Sequence, residues 1–266
     1  MTAATAPATR SLATTTPTDR FTRAFAAHLR SETRLILREA AALIFGAVLP
    51  LAAIIVMSAI PAAREPLADF GGLSVVRTYQ PTILLFATSV LGLTIVPAIL
   101  GGYRQGGILR RLRTTPASPA TLLAALFVVV AAVGLVVAAL IVAVPAIAGA
   151  GLPEHLGWFA LAAVLSLVAF LALGTLLAAV VPSPQVAAGL GNVVAALMWF
   201  SAGLWLPRVF FPDWLVTLTD LTPGGAATQA MIDAAVGVQP SWQPFVVLVV
   251  WTAAAALVAV RTFRWE

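Results

Sequence analysis

Long uncharged apolar stretches alternate with short polar or basic ones along almost the whole chain. A helix needs about 20 apolar residues to cross a hydrocarbon layer roughly 30 Å thick, so each run is measured against that length. Ala40 to Ala63 is the first run and Thr78 to Tyr103 the second. Thr114 to Pro153 is the third; its strongly apolar part begins near Thr121 and fades at Pro145 and the Gly-Ala-Gly of Gly149 to Gly151. His155 to Pro207 carries no Asp, Glu or Arg. As one helix it would be roughly 80 Å long at ~1.5 Å per residue, so it must fold back. Pro182 and Pro184 mark the break, because each denies a helix hydrogen bond and disfavours helical geometry just before it. Phe245 to Val260 is the last run, closed by Arg261 and Arg264. The pattern predicts an all-α integral membrane protein with six transmembrane helices, at about 40–61, 79–101, 121–146, 157–181, 186–206 and 243–261.

Composition agrees with that class. The chain is 61% hydrophobic and 9% charged, with a mean hydropathy of +1.02, outside the range of soluble domains. All 15 basic side chains are Arg, and there is neither Lys nor Cys. Absence of Cys excludes disulfides, thiolate metal sites and Cys nucleophiles; absence of Lys excludes a P-loop, whose Lys reaches the phosphates of a bound nucleotide.

The arginines orient the spans. With both termini in the cytoplasm, only Arg64, Arg77 and Arg208 fall outside, whereas Glu65, Asp69, Glu154, Asp213, Asp220 and Asp233 all do. Residues 1–18 are rich in Thr, Ala and Pro, lack an apolar core, and read as a disordered tail rather than a signal peptide. A cytoplasmic amphipathic helix is expected over 19–39, with Arg20, Arg23, Arg30, Arg34 and Arg38 on one face and Phe21, Phe25, Leu29 and Ile36 on the other. It would lie along the inner membrane surface, held by anionic lipid, by a partner subunit, or by both.

Reactive chemistry is scarce. The two histidines are His28, on the amphipathic helix, and His155, in an outer loop beside Glu154; neither sits in a metal-binding or catalytic motif. No carboxylate falls inside a span, which argues against ion-coupled transport. The polar exceptions in the spans include Gln80 and Asn192; the latter follows Gly191 in a small-residue stripe of Ala187, Gly191 and Ala195, read as helix packing or part of a substrate path.

What stands out is the cytoplasmic stretch "GGILRRLRTTPASP". Leu109 and Leu112 share one face of a short helix, Arg110, Arg111 and Arg113 project elsewhere, and Pro116 and Pro119 end it. As residues alone, these charges either serve topology or grip a partner's carboxylates, for which the planar Arg fork is suited. The stretch resembles the one preceding the third span in type-2 ATP-binding-cassette exporter permeases, most of all in the permease subunit of daunorubicin/doxorubicin-type drug-resistance exporters of high-GC bacteria. The likeness runs from Gly107 through Ile108, Leu109, Arg110, Arg111, Leu112, Arg113, Thr115 and Pro116 to Ser118. Residues 201–235 resemble that family's loop before the last span, with Gly203, Pro207, Pro212, Trp214, Pro223 and Gly224 at familiar positions. Many relatives carry an acid a few positions before the motif's Gly, where this chain has Tyr103, Arg104 and Gln105.

The resemblance implies a permease domain over 40–262, a helix at 107–115 that docks on a separate ATPase subunit, and an outer gate at 207–239. It implies a bacterial cytoplasmic-membrane exporter of amphipathic drug-like or lipid-like molecules, with no cofactor in this chain and ATP and Mg bound by the ATPase. The expected partners are that ATPase, a second identical or homologous permease, and membrane lipid, with no nucleic acid. Three alternatives stand: a lipid-linked glycan or haem-related cargo on the same architecture, a scaffold or sensor without transport, and an outer segment that only caps the bundle.

Overall fold

The computed structural model describes residues 17–108, 119–181 and 183–262, and these are helical almost throughout. Helix α1 (Pro17–Arg38) opens on a proline, whose fixed φ suits a first turn, and closes on Arg38, whose charge suits the carbonyl end. The first apolar run then breaks up into α2 (Ala40–Leu43), a π-helical turn over Ile44–Val48, and α3 (Leu49–Ala59). Ile60 is extended and Pro61 begins a 3-10 turn, so helix stops there.

The second run forms one long rod of three pieces: α4 (Val75–Ser89), a π-helical stretch over Val90–Ile95, and α5 (Val96–Gln105). Ser74 caps its start by accepting a hydrogen bond from the Arg77 amide at 3.2 Å. Helix α6 (Pro119–Pro145) runs back alongside it and ends in a π-helical turn, Ala146–Ala150. There follow α7 (Leu156–Val180), α8 (Pro184–Ser201), the short α9 (Asp213–Asp220) and α10 (Pro223–Ala235), and finally α11 (Gln243–Thr262).

Among the described residues, four helical segments are long and apolar enough to cross a membrane: Ala68–Gln105, Ala120–Ala150, Leu156–Val180 and Gln243–Thr262. The expected six transmembrane helices are thus corrected to four. The expected span at 40–61 fails because its apolar helix, Ile44–Ala59, falls short of spanning length. The expected span at 186–206 fails because α8 stops at Ser201 and carries Pro184, Gln185 and Asn192 within 18 residues, which dilutes its hydropathy. Both shorter helices still pack on the bundle, α3 against α4 and α6, and α8 against α5 and the π-helical stretch.

The α4–α5 rod is the centre of the bundle, and most of its apolar window is buried. Helices α6 and α11 bury far less of theirs, leaving Val136, Val250 and Val260 among the exposed large apolar side chains. An apolar belt of this kind suits hydrocarbon, where helices satisfy their own backbone groups. The interior divides into two clusters. One joins Ile83, Leu84, Phe159, Phe170 and Met231; the other joins Ile36, Leu100, Tyr103, Leu122 and Leu126.

Polar ties close the bundle at opposite ends of the rod. At the Arg77 end, Arg64 donates to the Ala148 carbonyl, Arg77 donates from Nε to the Ala150 carbonyl at 3.3 Å, and Arg77 pairs with Glu154 at 3.7 Å. These side chains hold the π-helical turn that ends α6, where Gly149 and, just after it, Gly151 adopt positive φ. At the Arg104 end, the guanidinium donates to the carbonyls of Ala178 and Val181, at 2.9 and 3.2 Å. It thereby satisfies carbonyls that the end of α7 leaves without helical partners.

Candidate functional site

The chain enters the arginine-rich segment from α5, and the last turn of that helix is tied on two sides. Tyr103 is buried and donates its hydroxyl to the Glu32 carboxylate on α1 at 2.5 Å, while the neighbouring Arg104 reaches α7. Ile36, 2% exposed, shares a buried cluster with Leu122 and Leu126 of α6, which fixes α1 to the bundle. Burial of a side chain of that size contributes about 1.5–3 kcal/mol. Burial raises the Glu32 carboxyl above its ordinary value, and the bond from Tyr103 partly offsets the rise. Arg30, Arg34 and Arg38 of α1 are exposed.

Beyond Gln105 the helix ends through Gly106 and Gly107; Gly107 has a φ of +63°, a left-handed conformation that glycine adopts without a Cβ penalty. Of the residues assigned to ATPase coupling, Gly107 is therefore the helix-ending turn itself. Leu109, Arg110, Arg111, Leu112, Arg113, Thr115 and Pro116 lie outside the described residues.

Gly191 and Asn192 lie where α8 crosses the π-helical stretch. A Cβ on Gly191 would overlap the Leu93 carbonyl oxygen, and one on Gly174 of α7 would overlap the carbonyl oxygen of Gly92. The π-helical stretch therefore lies against two helices at points where only glycine fits. Asn192 accepts a hydrogen bond from the Thr94 hydroxyl at 2.8 Å, on an exposed surface. Ala187 and Ala195 are buried on the same face of α8 as Gly191.

The segment assigned to an outer gate belongs to the Arg77 end. Thr82, one turn along α4 from Thr78, donates to the Ala202 carbonyl at 2.9 Å, which brings the end of α8 to the start of the rod. Gly203 turns the chain with a φ of +82°, and Pro207 is buried behind it. Pro223 begins α10 beneath a Thr222 cap, and Gly224 lies where a Cβ would meet the Met198 carbonyl oxygen at 2.6 Å. Pro212 and Trp214, by contrast, face outward, Trp214 being 67% exposed. Four of the six named residues thus pack inward and two form the outer surface.

Arg208 organises this region, and the sequence marks it only as one outer-loop charge. It is 7% exposed, pairs with Asp220, and donates from Nη1 to the Ser201 carbonyl at 2.6 Å and to the Thr219 hydroxyl at 3.0 Å. Desolvation pulls its proton affinity down against the nearby carboxylates of Asp220 and Asp233. Burial likewise pushes the Asp233 carboxyl up, although Gln229 donates to it at 2.8 Å. No motif spacing announces the cluster, because Arg208, Asp220 and Asp233 come from a 3-10 turn and two separate helices.

Among the described residues no group of three or more His, Asp or Glu side chains could hold a metal. His155 is engaged structurally: its amide donates to the Ala234 carbonyl at 2.8 Å and its Nε2 meets the Gly237 carbonyl at 2.9 Å. Among the described residues, the groups brought together do not form a nucleophile–base pair.

Residues 23–236 match the family described as ABC-2 type transporter. The match covers most of the chain, from α1 through α10, and includes both the arginine-rich segment and the gate-like loop. No curated protein matches the chain.

Proposed function

Because this chain belongs to the ABC-2 type transporter family, whose members are non-catalytic membrane permease subunits, we propose that it is the permease half of an ATP-driven exporter of amphipathic drug-like or lipid-like molecules. ATP and Mg bind to a separate cytoplasmic ATPase, and two permeases, identical or homologous, assemble with two such ATPases. The resemblance to daunorubicin/doxorubicin-type permeases supports the drug-like cargo. The arginine-rich segment lies on the cytoplasmic side, supported by its charge, and the span Ala68–Gln105 then carries the Arg77 end outward.

The observation that carries this reading is the anchoring of the last turn of α5. Tyr103 is joined to α1 and Arg104 to the end of α7 immediately before the Gly106–Gly107 turn releases the chain into its arginines. Any force applied to Arg110–Arg113 enters a helix already fixed to two others, so it moves the elements as a group. Such coupled movement is what alternating access needs: ATP binding favours one of two bundle arrangements, and the shift opens the outer end. In this mechanism Leu109 and Leu112 seat in the ATPase, and Gly203, Pro207, Pro223 and Gly224 shape the outer closure.

Co-expression with its ATPase and reconstitution in lipid discs tests the reading. An anthracycline should raise ATP hydrolysis by the complex, with no hydrolysis from the permease alone. Hydrolysis that stays flat across amphipathic drugs and lipids would count against export of such molecules.

A further inference from the structure

Two open grooves meet beside the last turn of α5, one basic and one apolar. The basic groove, about 750 Å³, lies between α1, the end of α5 and the start of α6, and Arg30, Arg34 and Arg38 line it together with Tyr103 and Leu122. The apolar groove, about 330 Å³, follows the central rod, where Ile95, Ala98 and Ile99 line it. Leu35, Tyr103 and Ile108 line both, so the two adjoin. The apolar groove belongs to the span Ala68–Gln105, whereas α1 lies outside the spanning segments. A charged edge thus passes directly into a surface that suits hydrocarbon.

The three arginines recur one helical turn apart, with about 5–6 Å between neighbouring Cβ atoms, so two adjacent guanidiniums reach a single phosphate. All three are exposed, and none bonds to or pairs with another described residue. The carboxylates alongside do not balance them. Glu32 is 2% exposed and takes the Tyr103 hydroxyl, and Glu39, on the apolar groove, is one exposed carboxylate against three arginines. The surplus of positive charge selects an anion. A free phosphate or a partner's carboxylate would leave the second groove bare, whereas an anion that carries an acyl chain covers both.

We propose that the adjoining grooves seat one anionic glycerophospholipid, its phosphate held by Arg34 and Arg38 and one acyl chain passing Leu35 and Ile108 to lie along Ile95, Ala98 and Ile99. The lipid then joins α1 to the last turn of the rod from outside, as Tyr103 and Glu32 join them from within. The site lies within a single chain, so it needs neither a second permease nor the ATPase, and it stands whether or not the transporter exports.

Native mass spectrometry of the full-length chain in detergent, titrated with phosphatidylglycerol, reads the site directly. One lipid should be retained at least about 10-fold more tightly than phosphatidylcholine or phosphatidylethanolamine. Arg34→Gln combined with Arg38→Gln should weaken that retention at least about 10-fold, and because both side chains are exposed the bundle should keep its melting temperature. Arg34→Lys combined with Arg38→Lys keeps both charges and should bind within about 3-fold of the parent. Arg261→Gln, an exposed charge on α11, should change nothing. Ala98→Trp fills the apolar groove without touching the arginines and should weaken retention about 3- to 10-fold. Glycerol phosphate, which lacks the chain, should not displace the lipid even in large excess. Unchanged retention in the double Gln variant, an equal loss in Arg261→Gln, or displacement by glycerol phosphate would overturn the lipid site. Unchanged retention in Ala98→Trp would overturn the seat of the chain, and phosphatidylethanolamine held as tightly would overturn the anionic character.

Discussion

The Tyr103 hydroxyl donates to the Glu32 carboxylate although 71 residues separate them, and this bond joins the N-terminal helix to the last turn of the central rod. It makes α1 a structural part of the bundle at the end from which the arginine-rich segment leaves.

A pH signature follows from that bond. Glu32 titrates above its ordinary value of 4.5 because it is buried, so the docked helix holds the proton more firmly than the free one. Docking is therefore strongest below about pH 4.5 and weakens as pH rises through the elevated value. Glu32→Gln keeps an acceptor for Tyr103 without a charge, and should flatten the dependence and tighten docking at neutral pH. Tyr103→Phe leaves the carboxylate without its donor and should loosen α1 by about 1–3 kcal/mol. Hydrogen exchange across residues 22–38, corrected for intrinsic rates, reads both effects. A Tyr103→Phe variant as protected as the parent would show that the bond contributes nothing.

Close packing on the π-helical stretch gives a prediction with an internal control. Gly191→Ala and Gly174→Ala place a methyl group against backbone carbonyls and should each destabilise the bundle by about 1–3 kcal/mol. Gly189 lies on the same helix with open space around its Cβ position, so Gly189→Ala should be neutral or stabilising by up to about 1 kcal/mol. Asn192→Leu removes only an exposed bond to Thr94 and should cost about 0.6 kcal/mol. Thermal unfolding in detergent should place Gly191→Ala and Gly174→Ala lowest, Asn192→Leu above them and Gly189→Ala highest.

Why some of this architecture could be read from residue order, and some could not, comes down to distance along the chain. Uncharged runs and proline breaks indicate a helical membrane protein, because hydropathy and the missing proline N–H act locally. Run length is a poorer guide to helix length. Ala40–Ala63 is apolar throughout, yet a π-helical turn and the stop at Ile60–Pro61 leave α3 short; 186–206 is uncharged, yet its helix ends at Ser201. Contacts across the fold have no local signal. Nothing beside Gly191 indicates that the Leu93 carbonyl will lie against it, and nothing beside Arg208 indicates burial against Asp220. Gly107 is the intermediate case: a glycine doublet after a helix suggests a turn, and a φ of +63° is the reason for it.

Orientation can be tested without engineering a background, since the chain contains no Cys. A single Cys at position 213 should react with an impermeant maleimide in intact cells. A single Cys at position 110 should react only after permeabilisation. The reverse pattern would place the arginines outside and reject the assignment of sides.

The central claim is that the arginine-rich segment joins this permease to an ATPase, and co-purification of the two proteins tests it most directly. Arg110→Glu combined with Arg111→Glu should reduce recovery of the ATPase with the permease at least about 10-fold, a loss of roughly 1.4 kcal/mol or more, while membrane insertion is unchanged. Full recovery of the ATPase with the doubly reversed permease would contradict the account.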